Sequence, residues 1–486
     1  MNPVHSLPPE LAVYLFSLVC QAAKFRRDVI DYTHPLQLGA ICSSWRQLAW
    51  STPTLWSYIY IKVSPKNAEV QAELLKDWLS RSGTVLLTVV FRLVDEGQGR
   101  GVLQRINWTD FSDHAVYLFA EKLLFIIAGE CTRWQSLEVD VVSSGCTDIL
   151  NDTWRRIPHL QYLRIRATEQ GPDNLHFYEQ APNLAFLFLE ARETLLFGLR
   201  HWSSDCWKSV TTILLDNYAT YDMAAGMLIA CHQTLRHFHL QSLDTQNLQT
   251  PLEVAARRAD FPHLETLVLE GAAHDNPETL FPVFLSMPKL RKFEIAITGG
   301  SELNGVQNFL AHSDITLEVF RIRLFGADQG DAEEKGEAMI KLLRPHFATL
   351  HDLALLIPLL NEGSYRFIKV FHRLLNRNNY DSISPFNMCE SPLPKLSFYE
   401  FSRGSFGELR EFDKPWLPLV PVLEMVQSRW KKPIDPRHNQ LSKLSLPGRY
   451  QDWVVDYLQK EINEGLLVNF VKVTHIPRSM EWYFED

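Results

Sequence analysis

The chain has 486 residues, of which 46% are hydrophobic, 22% charged and 12% aromatic, a length that exceeds one compact core unless the core grows by repetition. Its formal net charge of −9 argues against nonspecific nucleic-acid binding, which needs a basic face. Seven scattered cysteines with no Cys-x-x-Cys pair exclude a zinc ribbon or thioredoxin-like motif and suit reduced thiols in a cytoplasmic or nuclear protein.

The first predicted element starts at Ser6-Leu-Pro-Pro-Glu-Leu11. A cap residue, prolines in the first turn and an early Glu make a strong helix start. Leu11, Tyr14, Leu15 and Leu18 come next at helical spacing. The opening residues carry neither the basic nor the apolar region of a signal peptide. After a polar spacer, Pro35–Ala49 reads as a second amphipathic stretch, closed by Ser51-Thr-Pro-Thr-Leu-Trp56. Leu7-Pro8, Glu10-Leu11, Leu15-Phe16, Cys42-x-x-Trp45-Arg46-x-Leu48-Ala49 and Leu55-Trp56 together resemble the F-box, in the form common in mushroom-type fungi. The interval from Leu7 to Cys42 is 35 residues, longer than the common F-box spacing. The extra residues around Ala22–Thr33 are expected to form a loop or an extended helix end. The resemblance implies a module that docks on the Skp adaptor of cullin–RING ubiquitin ligases through Leu7, Pro8, Leu11, Leu15, Leu36, Leu38, Ile41 and Trp45.

Lys66–Ser80 reads as one helix with Leu74, Leu75, Trp78 and Leu79 on adjoining faces, a joint between this module and the rest of the chain. Beyond it one phrase returns: Pro158-His-Leu-Gln-Tyr-Leu-Arg-Ile165, Pro182-Asn-Leu-Ala-Phe-Leu-Phe-Leu189, Pro262-His-Leu-Glu-Thr-Leu-Val-Leu269, Pro288-Lys-Leu-Arg-Lys-Phe-Glu-Ile295 and Pro394-Lys-Leu-Ser-Phe-Tyr-Glu-Phe401. Its central apolar residues, Leu137, Leu163, Leu187, Ile213, Phe238, Leu267, Phe293 and Phe320, are spaced by 24 to 29 residues. The spacing then loosens through Leu353, Tyr399, Leu444 and Val471. Asp222–Leu235, Asn276–Leu285 and Ala332–Leu343 carry helical apolar spacing between the strands. A proline stops each helix and favours extended geometry before it. One unit cannot bury its leucine face alone, so neighbours must stack.

This array resembles the irregular leucine-rich repeats. The expected fold class is α/β: a helical F-box module at 1–62, a connecting helix at 63–83, and a leucine-rich-repeat solenoid of one strand plus one helix per unit at 84–486, with longer insertions after 326. The family's usual asparagine after the second Leu-x-Leu is absent, so no asparagine ladder is expected. Side chains that alternate with the leucines point away from the core. That names Arg164, Arg166, Phe188, Glu190, His239, Val268, Glu270, Glu294, Arg321 and Arg323 as the cargo-facing set. Their mixed charge and apolar character suits a protein partner.

No motif for a catalytic serine, a zinc protease or a phosphate-binding loop occurs, and Gly97-Gln-Gly-Arg-Gly101 reads as a flexible turn. His237 and His239 near Cys231 and His232 are too few for a metal site. Asn107-Trp-Thr and Asn151-Asp-Thr match the glycosylation pattern but are expected to be silent without a secretory signal. The longest apolar runs, Leu123–Ala128 and Leu353–Leu360, are far below the ~20 residues that span a bilayer. The two resemblances imply a non-catalytic, cofactor-free substrate receptor of a Skp–cullin–F-box ubiquitin ligase. Its partners would be the adaptor, the cullin scaffold and a protein substrate, without nucleic acid or membrane. A free-standing repeat scaffold is the alternative.

Overall fold

At four returns of the Pro-x-Leu phrase, those of Pro158, Pro182, Pro262 and Pro288, the chain makes a tight turn that feeds a strand, while Pro394 of the fifth lies outside the described residues. In the computed structural model, Leu160, Leu184, Leu264 and Leu290 donate their N–H groups to the carbonyls of Ile157, Ala181, Phe261 and Met287 at 3.4, 3.1, 3.4 and 3.1 Å. Proline therefore occupies the second turn position, where its fixed φ is an asset. The apolar residue before each proline and the leucine after it are both buried, which anchors the turn on two sides. The next residue then starts a ladder to the preceding repeat. Gln161 N–H donates to the Gln135 carbonyl at 2.8 Å, and Ala185 N–H to that of Gln161 at 2.9 Å. Farther on, Glu265 bonds Arg236, Arg291 bonds Glu265 and Glu318 bonds Arg291 in the same way, at 2.8, 3.0 and 2.8 Å.

The structure describes residues 8–24, 34–63, 67–93, 114–141, 143–153, 157–167, 181–191, 205–216, 219–244, 258–270, 277–297, 300–311, 315–324, 332–357, 362–376, 396, 398–403, 420–430, 441–447 and 451–471. The chain divides into two compact units, Met1–Ala219 and Thr220–Asp486.

The first unit opens with helices α1 (Pro9–Lys24), α2 (His34–Ile41) and α3 (Ser43–Trp50). Strand β1 (Tyr58–Val63) leads to helix α4 (Ala68–Ser82). Then come β2 (Leu87–Leu93), α5 (His114–Ala128), β3 (Trp134–Val141), α6 (Ser144–Thr153), β4 (Tyr162–Ala167), β5 (Phe186–Ala191) and β6 (Thr212–Asp216). The strands pair in sequence order and all in parallel. Such pairing needs a crossover between consecutive strands, which α4, α5 and α6 supply early on. Val89, Leu137, Leu163, Leu187 and Ile213 stand in one register row, and all are fully buried.

The second unit repeats the plan. Helix α7 (Tyr221–Cys231) precedes β7 (His237–Leu240), β8 (Thr266–Leu269) and β9 (Lys292–Ile297). Helices α8 (Gly300–Ala311), α9 (Ala332–Leu343), α10 (Glu362–Leu375) and α11 (Val420–Trp430) then alternate with β10 (Val319–Leu324), β11 (Asp352–Ile357), β12 (Phe398–Arg403) and β13 (Lys443–Pro447). The chain continues through α12 (Gln451–Tyr457), α13 (Gln459–Asn463) and β14 (Leu467–Val471). The eight strands are again parallel and sequential. Phe309 on α8 packs on Phe293 of β9, ring centroids 5.7 Å apart, so the apolar row faces the helices.

Four expectations change. The stretch over 35–49 is two helices broken at Cys42. β1 lies within the segment read as purely helical, yet it joins the sheet beside β2. Asn276–Leu285 is not a helix but a 3-10 turn, Pro277–Val283, running into a short strand, Phe284–Ser286, because Pro282 removes a helix donor and its ring clashes with the preceding turn. The last row residue is Val468, opposite Leu444, not Val471. The regular asparagine ladder has partial substitutes. Asn183 Nδ2 donates to the Pro158 carbonyl at 2.7 Å, Ser209 Oγ to that of Leu184 at 2.9 Å, and Thr349 Oγ1 to that of Leu317 at 2.7 Å. Among the described residues no helix is long and apolar enough to cross a membrane.

Candidate functional site: a helical head and a charged strand face

The head is a small core with more apolar side chains than it can enclose. Phe16, Leu38, Ala49, Leu55 and Trp56 form that core, with Trp45 and Trp78 packed against it. Trp56 Nε1–H donates to the Ala49 carbonyl at 2.7 Å, and the Phe16 and Trp45 rings lie 4.9 Å apart. Helix α4 closes the head from the other side. Trp78 meets Trp56 edge-on at 4.7 Å, and the Arg81 guanidinium lies 4.4 Å from the Trp50 ring and 4.8 Å from that of Trp56.

What remains outside is the informative part. Leu11 is 51% exposed and Ile41 59%, and Leu15 and Leu36 are exposed beside them. Pro8 is also exposed. Isolated exposed leucines need no explanation, but a run of them on two contacting short helices does. Tyr14, Leu18 and Val19 join this exposed set and were absent from the sequence-derived docking residues. Their signal was available, because α1 is apolar around most of its circumference and one small core can cover only one side. Two of the residues expected to dock are not exposed. Leu38 is buried and Trp45 half-buried, so both hold the head together from within. Leu7 lies outside the described residues.

The alternating positions of the strands do share the face opposite the leucine row, as their parity requires. In the first unit Glu138, Arg164, Phe188 and Leu214 stand in register, and Asp140, Arg166, Glu190 and Asp216 form the next row. Charge alternates in sign from Glu138 to Arg164 and from Asp140 through Arg166 to Glu190, and these side chains pair laterally. Arg92 bridges Glu138 and Asp140, Arg164 lies 3.8 Å from Glu138 and 3.6 Å from Glu190, and Arg166 is 2.9 Å from Glu190. Burial alone would lower Arg92, but Asp140 and Glu138 hold it above its ordinary value. Arg164 is pulled below its ordinary value by burial and by Arg166 and Arg92. Arg92, Glu138 and Asp140 were missed by the sequence reading, yet stacking the repeats would have exposed an acid–base–acid alternation.

In the second unit His239, Val268, Glu294, Arg321 and Ala354 share a row. Glu270 sits between His239 and Arg323, 3.6 Å from each. Burial would raise the Glu270 carboxyl, but these two neighbours hold it below the usual carboxylate value. Arg321 meets Asp352 at 3.5 Å, and burial nonetheless keeps Asp352 above its ordinary value.

This face is more closed than the alternation of residues implies. Phe188 is 0% exposed and Val268 1%, and His239, Glu270, Glu294 and Arg323 are buried as well. The reason is lateral packing. Long charged side chains lie across their neighbours to find partners, and the Arg164 guanidinium sits 4.4 Å over the Phe188 ring. Arg164, Arg166, Glu190 and Arg321 stay half-buried. The histidines near Cys231 separate in use. His232 Nδ1 meets the Ile229 carbonyl at 2.7 Å, Cys231 Sγ donates to that of Met227 at 2.8 Å, and His239 belongs to the Glu270 pair. Among the described residues no group of three His, Cys, Asp or Glu is disposed to hold a metal.

No protein-family model matches this sequence, and no curated protein matches it.

Proposed function

We propose that the chain is a tethering subunit: the substrate receptor of a Skp–cullin–F-box ubiquitin ligase. The helical head would dock on the Skp adaptor and the parallel-strand array, of irregular leucine-rich-repeat type, would hold a protein substrate. The observation that carries this reading is the exposed apolar surface of α1 and α2 around Leu11, Leu15, Leu36 and Ile41. Exposed apolar side chains on a small, separately cored helical module favour a protein partner. The F-box resemblance of the same segment names the adaptor. Ubiquitin transfer would be done by other subunits, and cytoplasm or nucleus is where such a ligase works. A free-standing repeat scaffold outside any ligase is the second reading, and the adaptor test separates the two.

The test is capture by an immobilised Skp adaptor. Leu11→Asp and Ile41→Asp each remove an exposed anchor without touching the head core. Each should weaken capture by at least tenfold, since burying such a side chain contributes roughly 1.5–3 kcal/mol. Their melting curves should match wild type. Capture that survives both changes would remove the ligase assignment and leave the scaffold.

A further inference from the structure

One row on the strand face of the first unit carries no charge. It runs Tyr58, Thr88, Ser136, Tyr162 and Phe186 across β1 to β5 in register. These residues alternate with the leucine row, so they share the face that turns away from the helices. All five are half-buried, whereas Phe188 and Leu214 in the next row are closed off. The Tyr162 and Phe186 rings stack 4.6 Å apart at 12°. With Phe186 on one side, Tyr162 turns its other ring face towards Ser136 on β3. Ser136 and Thr88 are small and hydroxylated, and beyond them stand Tyr58 and, one row on, the half-buried Tyr60. The result is a shallow trough with tyrosines on both sides and hydroxyls on its floor. Three strand spacings separate the β1 and β4 backbones, about 14 Å. The cation nearest its upper end, Arg92, is already held by Glu138 and Asp140.

We propose that this trough takes a proline-bearing segment of the protein substrate, bound as an extended polyproline helix. The proposal rests on the reading of the array as a substrate-holding surface and gives that surface a chemistry. Charge decides the class of ligand. A charged side chain entering here would lose water and meet a floor with no charge to answer it. A proline segment brings none. Its rings are compact and apolar, and aromatic-lined grooves hold such rings by packing. Its backbone makes no internal hydrogen bonds, so its carbonyls are acceptors for the Ser136 and Thr88 hydroxyls below. The segment is also stiff before it binds, which lowers the entropy lost on docking to a surface this shallow.

The experiment is calorimetric titration of the full chain with acetyl-hexaproline amide, with a glycine–serine peptide and a hexaglutamate peptide of the same length as controls. Wild type should bind hexaproline saturably and each control at least tenfold more weakly. Tyr162→Ala removes one wall and should lose at least fivefold in affinity. Ser136→Phe fills the floor with a residue that strands accept and should lose at least tenfold. Each variant is read beside its melting curve, and Thr88→Tyr, which fills the same floor from the next strand, takes the place of one that does not fold. No saturable binding of hexaproline by wild type, equal binding of either control, or unchanged affinity in the folded variants would each overturn the assignment. Adaptor capture is scored on the same samples. A missing proline signal with capture intact sinks the trough alone, and lost capture with the proline signal intact sinks the ligase reading alone.

Discussion

Two buried histidines make the second unit acid-sensitive. His372 on α10 faces the Ile368 carbonyl through Nδ1 at 2.7 Å. The ring proton therefore sits on Nδ1, and Nε2 accepts from the Tyr399 hydroxyl. Burial pushes His372 down to about 4, and burial likewise pushes His346 down to about 4. Unfolded histidine titrates near 6.5. Between those values the unfolded chain binds protons that the folded chain refuses. The stabilisation from the neutral rings is thus complete above pH 6.5 and is lost as pH falls towards 4, about 3 kcal/mol for each ring. Scanning calorimetry should show a melting temperature that declines across this window. His372→Gln should start lower at pH 7, since the bond to Tyr399 is disturbed, and should decline less steeply. Parallel declines in the two proteins would remove His372 as a source. At this scale the sequence told which side chains leave the leucine row, because alternation is a property of every strand. It did not tell how deeply they sit, because lateral pairing such as Arg164 with Glu190 and the cover of Phe188 by Arg164 depend on which strands become neighbours.

Among the elements, the helices of the second unit approach one another closely at a glycine. A Cβ at Gly336 on α9 would come within 2.7 Å of Val370 Cγ1 on α10. Alanine is the better helix former by roughly 0.5–1 kcal/mol, but overpacking a fitted contact costs about 1–3 kcal/mol. The clash wins because valine has little rotamer freedom on a helix. Gly336→Ala should therefore lower the denaturant midpoint by an amount worth about 1 kcal/mol, and adding Val370→Ala should return most of it. A stabilised single variant would contradict the close approach. The glycine itself gives no such hint in the sequence, where it reads only as a weak point in Ala332–Leu343, a helix whose ends the apolar spacing placed correctly. The strands were legible for a different reason: a proline turn, an anchoring leucine and a β-strand period all occur within eight residues. Asn276–Leu285 was misread because its apolar spacing fits a helix while Pro282 forbids one, and the proline outweighed the spacing.

For the molecule as a whole, the helical head belongs to the first compact unit, and each unit carries its own charged strand face. A tether requires that head and strand face be occupied at once, not that either change the other. Coupling between sites is a free energy shared by both ligands, so its absence is measurable from either side. If the chain is a tether, saturating Skp adaptor should leave its affinity for a protein substrate within about twofold of the value without it, below the ~5-fold lower end of ordinary allosteric coupling. The reciprocal titration, adaptor into chain saturated with that substrate, should return the same factor. What the assembly would gain is proximity, since cargo held on the array reaches the ubiquitin donor at an effective concentration set by the geometry between them. A large and reciprocal change in affinity would mean that the chain switches between states instead of bridging two partners. Its strand face would then be under the control of the head, and the tethering mechanism would have to give way to an allosteric one.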